Sequence, residues 1–216
     1  MKVELIGLTK PSASTGCNTA DELVAYTARV SNPTNQNNNE TAPKLLKYLI
    51  KNEHWSPFEM VSVQMSITTT RDISRQIIRH RSFSFQEYSQ RYAEAPEQIY
   101  TREARLQDPD NRQNSISSDD INQALRFRKL QEKVGSEARQ AYNKALKDGI
   151  AKEQARALLP EGLTETTLIM SGSLRSWIHY CELRMGNGTQ KEHAEIAQIC
   201  WSILSQHFPS VAAAME

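Results

Sequence analysis

The chain has 216 residues, with 26 Lys plus Arg against 25 Asp plus Glu and a formal net charge of +1. That length fits a single domain over residues 1–216, large enough to bury a core without disulfides or a structural metal. Near-zero charge argues against a generic polyanion binder, and no apolar stretch approaches the roughly 18 residues that a membrane span needs.

Residues 2–8 read as a short strand, and Asp21 to Val30 as a helix with Leu23, Val24, Tyr26 and Val30 on its apolar positions. Ser31 to Asn39 is a polar loop broken by Pro33. A second helix is predicted over Ala42 to Lys51. Phe58 to Thr70 alternates, with Val61, Val63, Met65 and Ile67 set against Ser62, Gln64, Ser66 and Thr68, the period of a strand with one buried face. A helix over Arg71 to His80 follows at once. Ser84 to Tyr92 is an aromatic stretch, loop or strand, and Glu103 to Ser117 a polar connection. Ser118 is the expected N-cap of a long helix in which Phe127, Leu130, Val134, Ala138, Ala141 and Ala145 repeat at helical spacing and Gly149 ends the run. A short helix carrying Arg156 stops at Pro160. Glu165 to Met170 reads as a strand or a helix start, and Ser173 to Met185 and Gln190 to Gln206 are the last two helices. The class expected is α+β, a mixed or antiparallel sheet packed with several helices.

Cys17, Cys181 and Cys200 form no CxxC pair and no zinc pattern with the five histidines, so no metal is expected. Reduced thiols in a cytoplasm fit them. Met1 to Gly7 lacks the long apolar core of a secretory signal, and a cytoplasmic location is expected.

The chemistry concentrates between Arg71 and Tyr92. Arg71, Arg75, Arg79, Arg81 and Arg91 stand there against only Asp72 and Glu87. Arg71, Arg75 and Arg79, at i, i+4 and i+8, would share one helix face, where like charges repel unless salt or a bound anion screens them. Guanidinium forks suit phosphate oxygens. The hydroxyls, amides and rings of Ser82 to Tyr92 suit a base and a ribose.

Arg79-His80-Arg81, seven residues and then Ser89 resembles the signature of the flavin-dependent thymidylate synthases. The string RHRSFSFQEYSQRY, Arg79 to Tyr92, is similar to that family's block almost residue for residue. His54-Trp55-Ser56-Pro57-Phe58-Glu59 resembles its HxSPFE element, and Ala155-Arg156 before Leu158-Leu159-Pro160 its ARxxLP element. Leu174-Arg175-Ser176 and Leu183-Arg184 resemble its closing arginine helix, and Gln190-Lys191-Glu192 its AQxE. The likeness spans roughly residues 2–206.

The resemblance implies a homotetramer with active sites between subunits that converts dUMP to dTMP. The methylene would come from methylenetetrahydrofolate and the reducing equivalents from NADPH through bound FAD. It implies flavin contacts for Ser56, Arg79, His80, Arg81, Ser82, Glu87, Ser173, Arg175 and His179. It implies dUMP contacts for Gln76, Arg79, Glu87, Ser89, Gln90, Arg91, Arg156 and Arg184. Arg184 is the implied catalytic residue, matching the arginine that stabilises the ionised N3 of uracil. A permanent cation there favours the anionic ring and makes C5 a better nucleophile. His54 and Tyr92 match positions near the folate and flavin rings.

The residues also leave two other readings open. One is a nucleic-acid-binding module with Arg71, Arg75, Arg79 and Arg81 on phosphates. Near-neutral charge weighs against it, and no nucleic-acid partner is expected. The other is a flavin- and nucleotide-binding protein of the same scaffold without synthase turnover. A Rossmann flavin site is not expected, for there is no GxGxxG. On the wheel of Ser173 to Met185, Arg175, His179 and Glu182 share a polar face while Arg184 lies about half a turn from Arg175. The two arginines therefore address different ligand parts, or ligands shared between subunits. Ser89 reads as a hydrogen-bonding group rather than a nucleophile, and Cys181 as a core residue.

Overall fold

The structure, a computed structural model, describes residues 1–186 and 188–215. Its centre is a four-stranded antiparallel sheet in the order β1-β2-β6-β3. The strands are β1 (Lys2–Leu8), β2 (Ser62–Thr70), β3 (Ser84–Glu87) and β6 (Glu165–Ser173). Alternation decides which face is buried: Val63, Met65 and Ile67 of β2 and Thr166, Leu168 and Met170 of β6 point into the core. The predicted strand starts later than Phe58, because Pro57 sets a 3-10 turn over Ser56–Met60 that turns Phe58 inward.

The helices are α1 (Ala20–Ala28), α2 (Ala42–Lys51), α3 (Arg71–Ile77), α4 (Ile121–Lys147), α5 (Lys152–Ala155), α6 (Leu174–Met185), α7 (Lys191–His207) and α8 (Pro209–Met215). Thr19 and Glu22 form a capping box on α1. Leu174, Trp177, Ile178 and Cys181 of α6 enter the core, and Trp177 Nε1 donates to the Val63 carbonyl at 3.0 Å. Phe83 lies against Gly172, where an added Cβ would collide with its ring, and packs on Trp177 and Tyr180. That contact anchors the segment after the arginine motif onto α6. Among the described residues no helix is long and apolar enough to cross a membrane.

The α+β expectation holds, with four local corrections. First, α3 ends at Ile77. The amides of Arg79 and His80 bond Gln76 and Ile77 three residues back, and this tighter turn takes Arg79 off the α-helical wheel. Second, the polar connection holds a hairpin, β4 (Arg105–Gln107) and β5 (Ser115–Ser117), whose turn Asp108 closes by accepting from the amides of Asp110 and Asn111. Third, Asp120 rather than Ser118 caps α4, accepting from the Gln123 amide at 2.9 Å. Fourth, α8 was not expected. Pro209 restarts the chain as a helix, and Asp21 of α1 accepts from its Ser210 amide at 2.8 Å.

The N-terminal part of the apolar repeat of α4, Phe127, Leu130 and Val134, turns outward, whereas Ala145 packs against Tyr142 and Ala155. Gln131, Gly135 and Tyr142 face the chain, while Leu130 and Val134 are 61% and 50% exposed.

Candidate active site

One cavity, about 930 Å³, opens between the turn after α3, the last turn of α6 and the segment leading into α7. Gln76, Arg79, His80, Arg81, Arg184 and Gln190 line it, without an acidic side chain among its described lining. Arg184 Nε donates to His80 Nε2 at 2.8 Å. That nitrogen is therefore an acceptor, and the imidazole is neutral with its proton on Nδ1. Burial, then the Arg184 cation, push His80 down to about 4. His193 of α7 is buried behind it and pushed down to about 3 by burial, Arg184 and His80.

The sign of the linkage is fixed by these depressions. Between pH 6.5 and 4 the unfolded imidazoles bind protons that the folded ones refuse. Their contribution to stability is complete above 6.5 and is lost as pH falls, down to about 4 for His80 and about 3 for His193. Urea midpoints are expected to fall steadily across that range, and a flat profile would contradict neutral, desolvated imidazoles.

A second cavity, about 420 Å³, lies along α3 and is lined by Arg71, Arg75, Gln90, Glu153, Arg156 and Glu161 with two apolar neighbours. Arg75 pairs with Glu161 at 3.0 Å, and Arg91 with Glu153 at 3.3 Å. Arg156 Nε donates to the Glu153 carbonyl at 3.2 Å, which holds the guanidinium in place. Arg71 Nη1 and Gln90 Nε2 are buried without a hydrogen-bond partner among the described residues. Each such orphan costs about 1–3 kcal/mol, a cost that a bound anion would remove. Glu87 ties β3 to α3: its Oε1 accepts from Ser74 and Thr166 at 2.9 and 3.0 Å and lies 3.7 Å from Arg71 Nη1. The half-buried Ser89 hydroxyl makes no hydrogen bond among the described residues, whereas its carbonyl accepts from the Tyr92 and Ala93 amides. Arg71 and Arg75 are absent from the dUMP and flavin contacts that the resemblance implies; their four-residue spacing is the sequence signal that marks them as anion-binding candidates.

The third group is elsewhere. Arg175 Nη1 donates to Glu59 at 2.8 Å, and His179 packs edge-on to Trp55 at 4.5 Å. The Ser173 hydroxyl and then Arg175 hold the Glu59 carboxyl below its ordinary value. Ser173 also caps α6, and Ser176 of that turn donates to the Ser82 carbonyl at 3.3 Å. Ser56 is exposed at the start of the nearby 3-10 turn. Ser173 pairs with Ser62 at one end of the sheet, while Thr70, next to Arg71, pairs with Glu165 at the other. Eight strand residues put about 27 Å between those ends. Arg175 and Arg184 are separated by about 14 Å along α6. A single chain thus gathers Gln76, Arg79, His80, Arg81 and Arg184, gathers Gln90, Arg91 and Arg156, and keeps Ser56, Ser173, Arg175 and His179 apart. His54 stands edge-on to Tyr48 at 6.0 Å, and Tyr92 is 84% exposed beyond Arg91; no contact joins the two among the described residues.

Arg71 is buried against Glu87 and Arg79 faces the other cavity, so the expected single face of arginines does not form. The geometric basis for nucleic-acid binding goes with it. Burial pushes the Cys181 thiol well up and Cys200 to about 12, so neither is a thiolate near neutral pH.

Residues 14–210 match the family model described as thymidylate synthase complementing protein, Thy1. The "Probable flavin-dependent thymidylate synthase" of Paramecium bursaria Chlorella virus 1 is 50% identical over 216 residues, which cover 100% of this chain and 99% of the viral one. The flavin-dependent thymidylate synthase of Synechocystis sp. (strain ATCC 27184 / PCC 6803 / Kazusa) is 50% identical over 219 residues, 100% of both chains. A crystal structure of the UMP/dUMP methylase PolB from Streptomyces cacaoi, bound with 5-Br dUMP, superposes with a TM-score of 0.83 at 27% identity over 99% of this chain and 93% of that one. Family model, full-length identity and shared fold agree with the arginine motif and its cavities: the chain belongs to the flavin-dependent thymidylate synthases, enzymes that form dTMP from dUMP with a flavin, FAD, as cofactor.

Proposed function

We propose that the whole chain, 1–216, acts as one domain that methylates dUMP at C5, with methylenetetrahydrofolate as carbon donor and NADPH as the ultimate reductant. The observation that carries the reading is the pair of cavities flanking α3, one with orphaned buried donors for a phosphate and one with Arg184 seated on a neutral histidine. Arg71, Gln90 and Arg156, with Ser89 and Arg91 at the rim, hold the phosphate. Gln76, Arg79 and Glu87 orient the nucleotide. Arg184 places its cation beside N3, stabilising the ionised ring and raising electron density at C5. His80, locked as an acceptor, keeps the Arg184 side chain in that position.

The cationic lining of the larger cavity suits the pyrophosphate of a flavin dinucleotide. When bound and reduced by NADPH, FAD would supply the hydride that takes the transferred methylene to a methyl group. Arg79, His80, Arg81, Ser82 and Glu87 of one copy hold it together with Ser56, Ser173, Arg175 and His179 of another. The separation of about 14 Å along α6 between Arg175 and Arg184, which lines the larger cavity with Arg79, His80 and Arg81, supports that division. His54 and Tyr92 reach the folate and flavin rings on the same terms.

The outward stripe of α4, with Phe127, Leu130 and Val134, supports assembly into a homotetramer. Three unpaired cysteines support a cytoplasmic location. The purified protein is expected to show an oxidised-flavin absorption spectrum that changes when dUMP is added, and to run as four chains by light scattering. A colourless protein that takes up no added FAD would contradict the reading.

A further inference from the structure

Side chains outside the arginine motif form one hydrogen-bonded relay behind the larger cavity. It begins on the β4–β5 hairpin, where Arg105 Nη2 donates to both oxygens of Glu192, at 2.7 and 2.9 Å. Gln190 Nε2 donates to Glu192 Oε2 at 2.9 Å, and Gln76 Nε2 to Gln190 Oε1 at 2.7 Å. Gln76 Oε1 lies 3.3 Å from His193 Nδ1, and His193 Nε2 lies 3.2 Å from the Tyr180 hydroxyl. His193 and Tyr180 are 0% and 1% exposed.

The direction of every proton follows from one end. Burial alone would raise the Glu192 carboxyl, but the hydrogen bonds from Arg105 and its neighbours outweigh burial and keep it ionised. A carboxylate only accepts. Gln190 must therefore give it an N–H and turn its carbonyl to Gln76. Gln76 must give an N–H to Gln190 and turn its own carbonyl to His193. The imidazole then carries its proton on Nδ1 and accepts the Tyr180 hydroxyl hydrogen at Nε2. A free amide could sit either way round. This one cannot, and its second N–H is left unspent on a residue that lines the cavity beside Arg79 and Arg184.

We propose that His193, Gln190, Glu192 and Arg105 are positioning residues that lock Gln76 as a hydrogen-bond donor to the C4 substituent of the pyrimidine, so that the site selects uracil over cytosine. The inference rests on reading Gln76 as a contact of dUMP. Arg184 cannot make the choice, because it only donates, and the ionised N3 of uracil and N3 of cytosine both accept. A locked Gln76 meets the C4 carbonyl of uracil with a donor. It meets the amino group of cytosine with a donor against a donor, and a buried mismatch of that kind discriminates by orders of magnitude.

The test is calorimetric titration of dUMP and dCMP into the flavin-loaded protein and its variants, with flavin content as the check on folding. The intact protein is expected to bind dUMP at least about 10²-fold tighter than dCMP. His193→Phe removes the donor to Gln76 and is expected to bring the two affinities within about tenfold, chiefly by weakening dUMP. His193→Asn, whose amide N–H can stand where Nδ1–H stood, is expected to restore the preference. Arg105→Leu, at the far end of the relay and outside the core, is expected to erode it in the same direction and keeps the test intact if His193→Phe does not fold. Parallel weakening of both nucleotides, or an unchanged ratio, in the folded variants would overturn the proposal. An intact protein that bound dUMP without preference over dCMP would do so as well. Failure of the intact protein to bind dUMP would instead overturn the assigned role of the site.

Discussion

Replacing Arg184 with alanine is expected to leave flavin bound and to lower dUMP turnover by roughly 10²–10³-fold, the range for losing one preorganised charge-stabilising donor. The guanidinium sits where the cavity is most specific, its Nε on His80 Nε2 at 2.8 Å and its terminal nitrogens left for a ligand. It is also permanently charged, so its field on an ionised N3 does not depend on pH. Flavin retention separates this role from a general loss of fold, because the proposed flavin contacts are spread over the arginine motif and the start of α6. Steady-state kinetics should show the loss in kcat rather than in KM. Undiminished turnover, or loss of flavin together with activity, would remove the assigned role.

Arg156→Ala is expected to weaken dUMP binding by about 10- to 100-fold while leaving the affinity for deoxyuridine, which lacks the phosphate, unchanged. A charge-assisted hydrogen bond contributes about 1.5–3 kcal/mol, which sets that range. The comparison with the nucleoside isolates the phosphate. Arg156 shares its cavity with the buried orphan donors of Arg71 and Gln90, and its Nε is already held by the Glu153 carbonyl. Its remaining nitrogens are therefore presented rather than searching. Equal weakening of nucleotide and nucleoside would move Arg156 away from the phosphate.

The sheet was legible where local pattern and tertiary environment agree. Val63, Met65 and Ile67 alternate because β2 has one core face, and the same alternation appears in their burial. The string from Arg79 to Tyr92 announced the site because ligand chemistry constrains many adjacent residues at once. What stayed hidden depends on contacts distant in sequence. Two backbone bonds that reach back three residues take Arg79 off the face it would share with Arg71 and Arg75, and no side-chain periodicity records them. The β4–β5 hairpin has no apolar pattern; a polar turn and the Arg105–Glu192 pair hold it, across 87 residues. His193 follows Gln190, Lys191 and Glu192 at the head of a helix, with nothing in its neighbours to mark it as buried, yet it is fully buried because Tyr180 and Gln76 satisfy both its nitrogens. The repeat on α4 was read correctly as helical, but periodicity does not say whether an apolar face meets its own chain or another. The opposite placement of the Arg175 and Arg71 groups likewise required the strand register.

The most direct test of the account is formation of dTMP from dUMP by the purified protein with FAD, NADPH and methylenetetrahydrofolate, followed by omission of each in turn. The account predicts dTMP in the complete mixture and its loss on omission of the folate or the reductant, with Arg184→Ala at least about 10²-fold slower. No dTMP from a flavin-loaded protein that binds dUMP would contradict it, and would leave a nucleotide-binding flavoprotein on the same scaffold.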